Sequence, residues 1–145
     1  NTKGTNCAKD HVWMTTLGTN GVQDSCPGIA ESPDGTYYAV VGVSEDANKN
    51  QYRKIYKIRA SDGQKMWQKQ LPNVEGLNTK WTGAESVKFA ADGGLIVGGW
   101  SYETSTAAQP GFLTFKSAGQ VSDGANPILE KIAATTMAKN TQGLR

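Results

Sequence analysis

The sequence predicts an all-β fold of short antiparallel strands arranged as four-stranded meanders. Three observations carry that expectation. Gly is abundant, at 17 of 145 residues, and β-branched and aromatic residues come in bursts separated by Gly, Asn, Asp and Ser, the composition of many strands and turns. Asp-Gly pairs at Asp34, Asp62 and Asp92 stand between apolar-rich runs, a strong short-range sign of a tight turn joining two strands. The pattern also repeats. GIAESPDGTYYAVVGVS from Gly28 lies over ESVKFAADGGLIVGGWS from Glu85 with Asp34 and Asp92 coinciding 58 residues apart. IYKIRASDGQ from Ile55 matches FLTFKSAGQ from Phe112 at an offset of 57, and HVWMTTLG matches QKMWQKQLP with Trp13 on Trp67 at an offset of 54.

Taken in order, residues 1–27 hold a lone strand, HVWMTTL, flanked by the two cysteines, Cys7 and Cys26. Paired, these would close a loop worth on the order of 3 kcal/mol in chain entropy and would imply an oxidising compartment, hence a secreted, periplasmic or cell-surface protein. The alternative is two unrelated thiols; the spacing is no zinc pattern, and His11 is the single histidine. Residues 28–83 form a first unit. Its first strand, near Gly28 to Ser32, meets the turn Pro33-Asp34-Gly35, in which Pro presets φ and Gly accepts a positive φ. TYYAVVGVS then reads as a strand buried on both faces. After the polar loop EDANKNQ comes the alternating strand YRKIYKIRA, the turn Ser61-Asp62-Gly63 and the strand KMWQKQL. The basic residues Arg53, Lys54 and Lys57, interrupted by Ile55, Tyr56 and Ile58, read as the solvated face of that third strand. Residues 84–134 form a second unit, with FLTFKSAGQ as its third strand and PILEKIA, Pro127 to Ala133, as its outer one. Residues 135–145 are a tail or the start of a further unit.

Four short strands repeating every 50 to 60 residues describe a β-propeller blade, a small sheet that buries its faces by packing on neighbouring blades. A single β-sandwich built from similar hairpins is the alternative. The chain supplies about nine strands, two blades plus one, whereas a closed ring needs about four to eight blades. Further blades, from the same polypeptide or from neighbouring subunits, are therefore expected. Without them Tyr38, Val40, Ile96 and Phe115 would face water.

IYKIRASDGQKMWQKQL resembles the tryptophan-docking repeat of pyrroloquinoline-quinone-type β-propellers, with Ala60, Asp62, Gly63 and Trp67 at the positions of its motif. ADGGLIVGGWS followed by GFLTFKSAGQ is similar to the delta-sixty family of bacterial propeller repeats. The resemblance implies a structural role, stacking between blades, for Trp67 and more weakly for Trp13. The second unit departs from the pattern, since Ala118 replaces the Asp and no Trp follows Gln120.

The charge balance of 15 basic against 13 acidic residues, a net of +2, is too small and dispersed to argue for nucleic acid or an anionic membrane. No stretch approaches the roughly 18 apolar residues of a membrane span. A chain beginning at Asn1, without an initiator Met or signal peptide, is expected to have been processed or cut from something longer. No catalytic residues, cofactor platform or metal set can be identified. Glu45 and Asp46 read as a solvated hairpin tip, not a cation loop, and Gly98-Gly99 as close backbone packing inside a strand, not a phosphate loop. Three function classes remain: a structural or interaction segment, a fragment of a quinoprotein-like oxidoreductase, and a carbohydrate-binding propeller with Trp81, Trp100 and Tyr102 as stacking platforms.

Overall fold

A computed structural model describes residues 12–18, 24–73, 77–103 and 125–141. Among the described residues the chain is all-β, with two antiparallel sheets and one short helix. The first sheet is a meander of β1 (Asp24–Glu31), β2 (Tyr37–Glu45), β3 (Gln51–Arg59) and β4 (Lys65–Gln70) in that spatial order. The second contains β5 (Leu77–Phe89), β6 (Leu95–Glu103) and β7 (Ala125–Ile132), followed by the single-turn helix α1 (Ala134–Met137).

Several expectations are corrected by these strands. The first sheet begins at Asp24 rather than Gly28, because a register shift between Ser25 and Gly28 carries the ladder past Pro27, which has no N–H to offer. The first sheet ends with β4 at Gln70, and the second opens with β5 at Leu77. PILEKIA is not the outer strand of a four-stranded unit. It pairs directly with β6, from Leu95 opposite Ile132 to Tyr102 opposite Ala125, and so takes the third place. Phe112 to Gln120, the segment expected there, lies outside the described residues.

Side chains alternate across a strand, so Tyr37, Ala39 and Val41 of β2 share one face with Ile55 of β3 and Trp67 of β4. That face packs on Ala84, Val87, Phe89, Leu95 and Val97 of the second sheet, and Met137 of α1 joins the same core. The strand β5 lies against β1, β2 and β3. The backbones of β5 and β6 approach so closely that a Cβ on Gly99 would run into the Gly83 carbonyl, which is why the Gly98-Gly99 pair sits inside the strand.

The same alternation overturns the solvated reading of the basic run. Arg53 and Lys57 point with Ile55 into the interface between the sheets and are only 3 % and 2 % exposed. Arg53 Nη1 pairs with Glu130 Oε1 of β7 at 2.5 Å, and its Nη2 donates to the Pro72 carbonyl at 2.7 Å. Lys57 Nζ donates to the carbonyls of Met137 (2.7 Å) and Lys139 (3.0 Å) and to Asn140 Oδ1 (2.9 Å), and it lies 4.1 Å from the centre of the Tyr37 ring. Burial holds the Lys57 pKa below its ordinary value.

On the opposite face of the first sheet, Val40, Tyr56 and Ile58 form a second buried cluster with Trp13, Leu17 and Tyr38 packed against it. Val40 is therefore not open to water as expected, and Tyr38 is half-buried. Burial pushes the Tyr56 phenol up to about 12. In the second sheet Ile96 is half-buried, and Phe115 lies outside the described residues.

The three Asp-Gly turns share one construction. Asp34, Asp62 and Asp92 accept the backbone N–H two residues on, from Thr36 (3.0 Å), Gln64 (3.1 Å) and Gly94 (2.9 Å). The glycine after each Asp, Gly35, Gly63 or Gly93, has φ of 71°, 72° or 85°. Asp34 also accepts from the Thr36 and Ser32 hydroxyls, and Asp92 pairs with Lys131 of β7. These bonds stabilise the charged carboxylates. The Thr36 and Ser32 bonds bring Asp34 to about 2, and Asp62 and Asp92 are also held below the ordinary value.

Two predictions follow from this packing. Glu130→Leu leaves Arg53 buried without its counter-charge and should lower stability by about 3 kcal/mol in urea unfolding, whereas Arg53→Met combined with Glu130→Leu should recover most of the loss. In acid, the unfolded chain binds protons at the turn aspartates near the ordinary value of about 3.9 while the folded chain resists them, so their stabilisation is complete above that pH and fades as pH falls toward about 2. The thermal midpoint should drop across that window, and Asp34→Asn should flatten the drop.

Candidate functional site

The residues assigned a docking role by the sequence meet at two junctions, each centred on a Trp. At the first, Trp13 lies across the β3–β4 turn. Its Nε1 donates to the Ala60 carbonyl at 2.8 Å, its ring faces that of Tyr38 at 6.1 Å, and Thr15 Oγ1 donates to the Gly63 carbonyl. Gly63 is required twice over, because its φ is positive and a Cβ there would strike the Trp13 indole. Asp62 does not touch Trp13; it shapes the turn by accepting from Gln64 N and from Arg59 Nη1 at 2.8 Å.

At the second junction Trp67 of β4 is fully buried in the core between the sheets, and its Nε1 donates to the Lys139 carbonyl at 2.6 Å. That carbonyl is the one Lys57 also holds, so a Trp and a Lys of the first sheet together fasten the segment after α1. Trp67 and Trp13 are thus used alike: each presses its ring on a neighbouring layer and gives its N–H to a main-chain oxygen. The likeness extends four residues further. Leu71, after Trp67, is buried in the core, and Leu17, after Trp13, packs on the second cluster. The signal for these leucines was present in WMTTL and WQKQL, which share Trp-x-x-x-Leu. Nothing local marks Lys57 or Lys139.

Between the first-sheet turns and the segment after α1 lies a cleft of about 720 Å³, lined by Tyr37, Lys57, Arg59, Met66 and Asn140 among others. Its chemistry is already committed. All three N–H groups of Lys57 have acceptors, and Arg59 is engaged by Asp62 and Gln64. A smaller cleft brings Asp34 and Asp92 together beside Ala134 and Ala138, but both carboxylates serve their own turns. Among the described residues no group of three or more His, Cys, Asp or Glu side chains comes together as a metal site. In the β2–β3 loop Asp46 accepts from Asn48, Asn50 and Tyr52, which makes it the organiser of the hairpin tip.

Cys26 is a free, exposed thiol on β1, and Cys7 lies outside the described residues, so no bridge between them is seen. Burial, and next the charge of Asp24, raise the Cys26 pKa above its ordinary value. Of the three candidate stacking residues, Trp100 is half-exposed on the outer face of the second sheet, its indole over Gly83 and its Nε1 donating to Glu85 Oε1 at 2.7 Å. The side chains of Trp81 and Tyr102 lie outside the described residues.

Gly63→Ala should displace Trp13 and cost about 1–3 kcal/mol, because it adds both backbone strain and a clash. Trp13→Phe keeps a ring but removes the bond to Ala60, with an expected loss of about 1 kcal/mol. Both are read from urea midpoints alongside Trp emission.

No protein-family model matches this chain, and neither a curated protein nor a solved structure is significantly similar to it.

Proposed function

We propose that the chain is a β-propeller-type repeat segment with a non-catalytic, structural or protein-interaction role in a secreted or cell-surface assembly. The observation that supports this reading is the repeated forward reach of a Trp: Trp13 onto the turn of the first sheet, and Trp67 onto the segment that follows the second. Each layer is built to be covered by another, and the polar side chains at the junctions are used in holding layers together. Titration of the purified chain with pyrroloquinoline quinone tests the reading against an oxidoreductase. No uptake is expected; stoichiometric uptake with dye reduction would replace the structural role by a redox one.

A carbohydrate-binding reading rests on Trp100, whose indole is braced by Glu85 and Gly83 on an outer sheet face. It requires glycan binding that disappears in Trp100→Ala with the fold intact. Absence of binding to a broad glycan panel would end it.

A further inference from the structure

We propose that the cleft beside Lys57 binds a carboxylate carried on an apolar body, the anion taking the place of the Asn140 side chain on the Lys57 ammonium and pairing with Arg59. This site goes beyond the structural role proposed above and does not depend on it. Two cations of β3 are buried between the sheets, and only one has a counter-charge. Arg53 pairs with Glu130. Lys57 is 2 % exposed, yet none of the ion pairs among the described residues includes it. Its three N–H groups go to the carbonyls of Met137 and Lys139 and to the amide oxygen of Asn140, with the Tyr37 ring against it. These neutral oxygens satisfy its hydrogen bonds but leave its charge unmatched. A buried ammonium without an anion is unfavourable. The lowered pKa of Lys57 agrees: burial causes it, and the charge of Asp34 offsets it only in part.

The three acceptors differ in how firmly they are held. Met137 is buried in the core, and the Lys139 carbonyl also accepts from Trp67 Nε1, so both main-chain oxygens are fixed. Asn140 is exposed, and its amide oxygen ends a side chain that is free to turn away. It also lines the cleft, so its departure admits a ligand oxygen to the third N–H of Lys57.

The rest of the cleft suits the other parts of such a ligand. Its volume of about 720 Å³ is that of a small-molecule site. Tyr37 and Met66, both packed against the core, give it apolar walls. Arg59, two residues beyond Lys57 on the same face of β3, lines it as well. Only Nη1 of Arg59 is engaged, by Asp62 and Gln64; among the described residues its Nε and Nη2 have no acceptor. Those two donors match the second oxygen of a carboxylate. A single negative charge is favoured over a dianion, because Asp34 and Asp62 stand in the adjoining turns.

The test is calorimetric titration of the full chain with phenylacetate and with its uncharged analogue phenylacetamide. Saturable binding of the acid is expected, about tenfold or more tighter than that of the amide. Binding of neither, or equal binding of both, would overturn the proposal, as would inorganic phosphate binding as tightly as the acid. Arg59→Gln should weaken the acid by about tenfold. Asn140→Ala removes the competing acceptor and should tighten binding several-fold, an effect that loss of a merely structural contact does not produce. Unchanged affinity in both variants would overturn the site. Lys57→Met should abolish binding; should that variant fail to fold, the opposite responses of the Arg59 and Asn140 variants still decide the question. A tetrapeptide ending in Phe, compared as free acid and as amide, separates the two sources of a carboxylate: a free-acid peptide that binds more tightly than phenylacetate identifies a chain terminus, and one that binds less tightly identifies a small free acid.

Discussion

A sheet with two apolar faces has to be covered twice, and the first sheet is such a sheet. Ala39, Val41 and Ile55 look one way, Val40, Tyr56 and Ile58 the other, and all are buried. At roughly 25 cal/mol for each Å² of apolar surface removed from water, neither face can be left open in a domain whose net stability is only of the order of 10 kcal/mol. The second sheet covers one face and the segment 12–18 packs on the other. The rest of the architecture follows from that double requirement, including the placement of one Trp on each side. Both indoles present a large apolar ring with a single donor at its rim, so each can lie on a covered face and still satisfy its N–H.

Placing cations inside the interface adds a second constraint. Arg53 and Lys57 are on the same face of β3 as Ile55, and neither can be buried without partners. Each finds them far along the chain: Arg53 at Glu130 of β7, Lys57 at the carbonyls of Met137, the last residue of α1, and of Lys139. Such pairs are weak evidence for stability, since desolvation opposes attraction, and Glu130 Oε2 is itself buried without a hydrogen-bond partner. Their effect is on register. A shift of one residue in β3 would carry both cations to the opposite face and leave Glu130 and the α1 carbonyls unpaired.

The junctions also bear on function. Where carboxylates and amines gather at one end of the molecule, around the Asp34, Asp62 and Asp92 turns, each is already held by a neighbour in its own turn or across the adjoining strand. The donors of Lys57 are spent on the chain itself. Polar chemistry here fastens layers, and among the described residues the large apolar side chains left exposed, Val12, Met14, Ile29 and Leu129, lie outside the two core clusters.

What the sequence determined by itself was local. Asp34, Asp62 and Asp92 make matching turns because an Asp side chain and the glycine after it act within a few residues, and alternation in YRKIYKIRA specifies a strand wherever it is placed. Those two signals were enough to lay out β1 to β4 and the Asp92 hairpin. Alternation could not say which of the two faces of β3 met water. Arg53 and Lys57 read as solvated because the groups that draw them inward, Glu130 and the carbonyls of Met137 and Lys139, are more than 70 residues away and carry no mark of it: a single Glu in PILEKIA, and main-chain oxygens that every residue possesses. The place of PILEKIA was equally out of reach, since a strand's order in a sheet depends on which edge is vacant when it arrives. Trp13 and Trp67 could be matched by their spacing, but only the folded chain shows that one covers an outer face and the other an inner one. Burial is a property of layers, and layers are decided by what packs on what.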